Sequence, residues 1–176
     1  MSEDTYCRND VALVAHRDAR ILILRMEGYR ELSWRLPQGP LRQGLDLIKK
    51  RQRMGVEHEM VLDLLEERIG SRDANLVRYT GIKEHFYFSE IDQGIEDLTV
   101  TASTYPTKRL HFYIVELYCP DSVIRQGVAS NPRIKDWKLV DPSDLKCISQ
   151  EERRGVKQVL DDYLIDMDAP VEIKND

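Results

Sequence analysis

Between Leu62 and Gly70 the chain reads L-D-L-L-E-E-R-I-G, and this stretch restricts the fold more than any other. Asp63, Glu66 and Glu67 stand at i, i+3 and i+4, so at about 100° per residue they share one stripe of a helix. Glu59, four residues before Asp63, joins the edge of that stripe, while Val61, Leu62, Leu64, Leu65 and Ile69 take the other side. Such a helix buries its apolar side against another layer and leaves mutually repelling carboxylates outside. Two readings are open. The acidic face is simply solvated, or a hard, oxygen-loving cation such as Mg²⁺ or Mn²⁺ neutralises it.

The surrounding pattern supplies the partner layers. Asp10–Ala15 and Ile21–Leu24 are short apolar runs around His16–Arg20, which reads as a hairpin turn. Ser33–Leu36 is a short extended piece stopped by Pro37 and Gly39. The acidic helix is expected to start near Glu57 and to end at Gly70, where glycine suits a left-handed cap. Leu76–Ile91 is rich in strand formers, Ile95–Thr107 reads as a long loop, and Leu110–Tyr118 is the strongest strand. Trp137–Val140 is a further short strand. Ser149 caps a helix whose apolar stripe is Val156, Val159, Leu160, Tyr163 and Leu164. The expectation is an α/β (α+β) fold with a mixed β-sheet between the two helices. The chain reads as a single domain over 1–176, with a core over about 6–165 and an acidic, frayed tail at 166–176.

Composition narrows the class. With 41% hydrophobic and 32% charged residues, a 176-residue chain can build one core and is not a disordered polymer. A net charge of −5 argues against a general nucleic-acid binder. No apolar run approaches the roughly 20 residues that span a bilayer, and the start M-S-E-D-T-Y, with neither a positive start nor an apolar stretch, does not lead one to expect a signal peptide. Cys7, Cys119 and Cys147 lack C-x-x-C spacing, so they read as reduced thiols of a cytoplasmic protein and not as a zinc site. His16, His58, His85 and His111 show no metal-ligand spacing, and His111 reads as a satisfied buried histidine. Phe86, Phe88, Phe112 and Tyr113 read mainly as core. Nothing matches a nucleophile elbow, a P-loop or a dinucleotide fingerprint.

A set of short motifs, in a particular order, points further. Tyr6-Cys7-Arg8-Asn9 precedes the first strand, and Ser33-Trp34 leads into Pro37-Gln38-Gly39. A loop and the E-E-bearing helix follow, then K-R-L-H-F-Y-I-V-E-L at Lys108–Leu117, and finally Asp136-Trp137. Over about Tyr6 to Leu164 this order resembles the Nudix hydrolase family, and within it the bacterial RNA pyrophosphohydrolases and dinucleoside polyphosphate hydrolases. The resemblance implies an α/β/α sandwich and a Mg²⁺- or Mn²⁺-dependent hydrolase of nucleoside polyphosphates or RNA 5′-pyrophosphate. Glu66 and Glu67 would then be catalytic, and Asp63, Glu66 and Glu67 would hold the metal. Arg8, Arg25 and Gln38 would approach the phosphates.

The family signature reads G-x5-E-x7-R-E-U-x-E-E-x-G-U, with U aliphatic, and this chain departs from it. Pro40 stands for the first Gly, the connection to the helix is longer than the signature spacing, and Leu62 stands for the Arg and Asp63 for the Glu beside it. Two residues, Arg68 and Ile69, separate the E-E pair from Gly70 where the signature has one. Arg133 takes the place of a late-loop Glu. Shortening Glu to Asp at 63 withdraws the carboxylate by about 1 Å, which costs of order 100-fold where geometry sets a rate. From Arg42 to Arg53 five cations (Arg42, Lys49, Lys50, Arg51, Arg53) face one anion, Asp46. That segment is either a solvated insertion or a phosphate clamp led by Lys49, Lys50 and Arg51. Two functions follow: a hydrolase of weak or altered activity, or a catalytically inactive Nudix pseudoenzyme that binds a nucleotide, an RNA end or a protein partner.

Overall fold

The computed structural model describes residues 7–27, 34–40, 54–87 and 107–163. Within them the chain forms β1 (Cys7–Arg17), β2 (Arg20–Met26), β3 (Trp34–Arg35), β4 (Gln38–Pro40), α1 (Met54–Ile69) and β5 (Ala74–Tyr87). Then come β6 (Thr107–Leu117), α2 (Asp121–Ala129), β7 (Ile134–Val140), a 3₁₀ turn at Pro142–Cys147 and α3 (Gln150–Tyr163). The seven described strands make one sheet in the order β3-β2-β1-β6-β5, with β4 added to β1 and β7 to β2. Only the β1–β6 pairing, from Cys7↔Thr107 to His16↔Glu116, is parallel among the described pairs, so the sheet is mixed as expected.

Strand periodicity sorts the core. Val11, Leu13, Ala15, Leu22, Leu24, Tyr113, Val115 and Leu117 face one side and pack with Met60, Val61, Leu65 and Ile69 of α1 and Ile124 and Val128 of α2. The alternate residues Ala12, Val14, Ile21, Ile23, Phe112 and Ile114 face Val156 and Val159 of α3. With both faces covered, β1 and β2 read as unbroken apolar runs and not as alternating ones. Each fully buried aliphatic side chain is worth about 1.5–3 kcal/mol, so the two clusters hold the α/β/α layering. Phe112 and Tyr113 are core, and His111 is buried with Nε2 2.9 Å from Asn9 Oδ1.

The β1–β2 turn places Asp18 (φ 52°) and Ala19 (φ 63°) in the left-handed region, the primed geometry that matches strand twist. Beside the turn the strands pair through His16↔Ile21 and Arg17↔Arg20. Further along, the chain from Trp34 to Pro40 lies between them. β3 pairs with β2 through Leu24↔Arg35 and Arg25↔Trp34, and β4 pairs with β1 through Val11↔Gly39 and Ala12↔Gln38. Leu13 N donates to Pro37 O at 2.8 Å, so Pro37, which has no donor, marks the crossing from one strand to the other.

Both helix layers grip this segment. Glu152 of α3, 2% exposed, accepts from Leu36 N (3.0 Å) and Gln38 Nε2 (2.8 Å) through Oε1. Its Oε2 accepts from Ser149 Oγ (2.7 Å) and Ser149 N (3.3 Å), and Glu152 N donates to Ser149 Oγ (3.2 Å). This is the capping box expected from Ser149, with its carboxylate shared between the helix cap and the sheet.

Several expectations are corrected. The acidic helix starts at Met54, ahead of Glu57. β5 starts at Ala74, ahead of Leu76, and β7 starts at Ile134, ahead of Trp137. Helix α2 was not read from the sequence. Its nine residues carry Ile124 and Val128 as the buried pair, and Gly127 interrupts the helical pattern. That glycine is required by contact: a Cβ there would lie 1.9 Å from Ile69 O, where α2 crosses the end of α1. The loop expected over Ile95–Thr107, the basic segment 42–53 and the tail 166–176 lie outside the described residues, apart from Thr107, which begins β6.

Two outcomes follow. Glu152→Ala strips the acceptor from Leu36 N, Gln38 and Ser149, and should lower unfolding free energy by about 2–4 kcal/mol in urea titrations. His16, beside the turn, is held below its ordinary 6.5 by burial, against an opposing pull from Glu116. The unfolded chain therefore binds the extra proton first, and stability should fall as pH drops through about 6.5. His16→Gln should flatten that part of a stability–pH curve.

Candidate functional site at the acidic helix

Helix α1 ends at Ile69 and is followed by Gly70, whose φ of 71° is the left-handed cap, closed by Gly70 N donating to Glu66 O at 2.8 Å. The cap reverses the chain, and Arg72 is carried back along the acidic stripe. Its Nη1 donates to Asp63 Oδ1 and, at 3.2 Å, to Glu66 Oε2, while its Nη2 donates to Glu59 Oε2. One guanidinium thus serves three carboxylates spaced i, i+4 and i+7 on the helix. Hydrogen bonding to Asp63 first and Glu66 second holds Arg72 above its ordinary pKa, so it stays charged.

A second arginine serves the side of α1 that meets the sheet. Arg68, 8% exposed, donates from Nη2 to Gln38 O at 2.8 Å and sits 3.3 Å from Glu67 Oε1 through Nη1. Beside it, Leu64 closes on Gly39: a Cβ at Gly39 would meet Leu64 Cδ1 at 2.9 Å and Arg68 Nη2 at 3.5 Å. The helix face that looks at Pro37-Gln38-Gly39 therefore presents Leu64 and Arg68. The carboxylates of Asp63, Glu66 and Glu59 lie on the face held by Arg72.

The extra residue before Gly70 accounts for this rotation. Counted back from the cap, the signature's E-E pair falls on Glu67 and Arg68, and the Glu of its R-E pair falls on Leu64. One inserted residue turns a helix by about 100°, which carries Glu66 and Asp63 off the sheet-facing side. Glu66 and Glu67 are exposed and open onto a groove of about 480 Å³ between the end of α1 and α2, with Gln126, Ser130 and Asn131 on its other wall. Asn131 Nδ2 donates to Glu67 O at 3.0 Å across that groove.

This donor set does not fit a divalent cation. Asp63 and Glu66 are brought together, but around Arg72, and Glu67 is paired with Arg68. Among the described residues no group of three or more His, Cys, Asp or Glu side chains is placed to hold a metal ion. Arg133, on the exposed turn before β7, supplies no carboxylate either.

The expected phosphate-binding residues are divided. Arg8 is bound to the buried Asp10 at 2.7 and 2.8 Å, and Gln38 Nε2 donates to Glu152 and to Leu36 O (3.2 Å). The Arg8 side chain is thus held along β1, and the Gln38 side chain holds the segment around Gly39 in place. Arg25 is exposed on β2, in register with Trp34 and Asp136, and Lys138 Nζ lies 4.3 Å from the Trp34 ring centroid. Lys49, Lys50 and Arg51 lie outside the described residues. Sequence reasoning missed Arg68 and Arg72. The available signal was a pair of arginines flanking the Gly70 cap of an acidic helix.

Replacing Arg68 tests the inner contact. Arg68→Met keeps the apolar stem but leaves Gln38 O without this donor, and should lower unfolding free energy by about 1–3 kcal/mol, read from urea midpoints.

No family model and no curated protein matches the sequence. Solved structures do match the fold. The dihydroneopterin triphosphate pyrophosphohydrolase of E. coli aligns with a TM-score of 0.61 at 9% identity, over 90% of this chain and 99% of its own. The Ap4A hydrolase of C. elegans aligns with a TM-score of 0.55 at 14% identity, over 90% and 99%. A Listeria monocytogenes structure assigned to the NUDIX hydrolases aligns with a TM-score of 0.54 at 9% identity, over 92% and 97%. Sheet order, the helix layers and these superpositions agree: the chain has the Nudix fold.

Proposed function

We propose that this protein is a Nudix-fold binder of nucleoside polyphosphates in which metal-dependent hydrolysis is weak or lost. The observation that carries this reading is Arg68, a buried cation bonded to Gln38 O where α1 meets the Gly39 segment. A cation fixed there opposes a second, divalent one, by repulsion and by consuming the carbonyl and Glu67 as partners. The ligand class is drawn from the structures that share the fold, two of which are named for a triphosphate and a dinucleoside polyphosphate. Exposed Arg25 and the basic segment at 42–53, with Lys49, Lys50 and Arg51, are the proposed phosphate contacts.

The competing reading is a Mg²⁺- or Mn²⁺-dependent hydrolase of nucleoside polyphosphates or RNA 5′ ends. The observation that favours it is the exposure of Glu66 and Glu67 to the open groove beside α2. No helix among the described residues is long and apolar enough to cross a membrane, and Cys119 and Cys147 are free thiols there. A cytoplasmic location is proposed on the thiols.

Two measurements on the full chain separate the readings. Calorimetry with diadenosine polyphosphate in EDTA should show saturable binding, and Arg25→Ala should weaken it about tenfold, the equivalent of ~1.4 kcal/mol for one charged contact. Product release from the same ligand, or from triphosphorylated RNA, with Mg²⁺ or Mn²⁺ should stay far below the ordinary enzymatic range of roughly 1–1000 per second. Turnover inside that range overturns the proposal in favour of the hydrolase. Absence of binding to either ligand overturns it in favour of a protein partner.

A further inference from the structure

The fold implies a metal that the carboxylate stripe does not accommodate, and the reason lies in one side chain. Glu59, Asp63 and Glu66, from three successive turns of α1, converge on one guanidinium, Asp63 and Glu66 on Nη1 and Glu59 on Nη2. On a bare helix these anions would repel one another and attract any available divalent cation. Arg72 carries that guanidinium. It is not a distant surface cation that happens to reach an acid, because the backbone delivers it there. Gly70 turns the chain back through a left-handed φ, Asp73 N donates to Ser71 Oγ at 3.0 Å, and Ala74 begins β5. The turn from Gly70 to Asp73 therefore fixes where the guanidinium starts, and three acceptors fix where it ends.

We propose that Arg72 is a tethered counter-cation that excludes divalent metal from the acidic face of α1, so that removing its charge turns Glu59, Asp63 and Glu66 into a divalent-cation site. The proposal extends the non-hydrolytic reading above by naming what neutralises the acidic stripe. A guanidinium offers a planar fork of donors at fixed separation, which suits several carboxylates at once, whereas a metal requires them to close to about 2.0–2.6 Å around a point. The tether also gives Arg72 an advantage that no free ion has, since it is present at a high local concentration whatever the medium. The protein's stability is then independent of chelators.

Mn²⁺ binding to the full chain, followed by electron paramagnetic resonance and by calorimetry, tests this. Arg72→Gln should bind Mn²⁺ roughly 10–100-fold more tightly than the wild type, the range over which neighbouring partners tune metal affinity. Arg72→Lys, which keeps the charge, should show no such gain, and adding Asp63→Asn to Arg72→Gln should abolish it. The melting temperature of Arg72→Gln should rise with Mn²⁺ while that of the wild type stays put. Equal Mn²⁺ affinities for wild type and Arg72→Gln overturn the proposal. So does an Arg72→Gln chain that stays unfolded at every Mn²⁺ concentration, because a bound divalent ion should replace the missing charge. The comparison is independent of turnover: a wild-type protein that hydrolyses polyphosphates would sink the non-hydrolytic reading and leave this affinity ratio to be judged by itself.

Discussion

The carboxylate of Glu152 is the point on which the three layers depend. It is buried, and it closes the cap of α3 through Ser149 while accepting from Leu36 N and Gln38 Nε2. A buried carboxylate is tolerable only when its lone pairs are filled, and here both oxygens are. The same short segment then offers Gln38 O to Arg68 from the opposite layer. Charge thus runs through the wedge between β1 and β2, from an anion on α3 to a cation on α1, with Leu36, Gln38 and Gly39 between. The apolar clusters on either side of the sheet supply the bulk of the stabilisation. The polar contacts through the wedge specify how the chain from Trp34 to Pro40 sits in it.

The position of α1 against that wedge decides the chemistry open to the protein. Leu64 fills the space before Gly39, and Arg68 takes the carbonyl beside it. The carboxylates of Asp63 and Glu66 point away from this junction. Once turned away they would be costly to leave unpaired, and Arg72 meets them. The helix keeps an acidic sequence, and among the described residues no group of three or more acids is placed to hold a metal ion.

Much of the fold was legible. Apolar runs on either side of His16–Arg20 located β1 and β2, Gly70 marked the end of α1, the run Leu110–Tyr118 located β6, and Ser149 with Glu152 announced the capping box of α3. Helix α2 escaped because two buried residues, Ile124 and Val128, in a nine-residue span with a central Gly127 make too weak a periodicity. The site was less legible. Helical spacing grouped Asp63, Glu66 and Glu67 on one stripe with Glu59 at its edge, whereas Arg72 gathers Glu59, Asp63 and Glu66, and Glu67 pairs with Arg68. Spacing carries no information about the cations that answer them. Arg8 and Gln38, expected to approach phosphate, make side-chain bonds to Asp10 and Glu152, partners that their spacing in the sequence does not reveal.

The sequence by itself determined the layering, because the unbroken apolar runs of β1 and β2 require cover on both faces and the amphipathic stripes of α1 and α3 supply it. It also determined that α1 carries an acidic stripe. Only the tertiary structure decided where that stripe points and what neutralises it. Rotation of α1 is set by the packing of Leu65 and Ile69 into the sheet, of Leu64 on Gly39 and of Ile69 on Gly127. Those contacts join residues far apart in the chain; the extra residue before Gly70 shifts the stripe relative to the cap, but these contacts fix which face of α1 meets the sheet. For the same reason Arg68 and Arg72 look alike in the sequence, two cations near a helix end, yet one is buried against Gln38 and the other gathers three carboxylates at the surface.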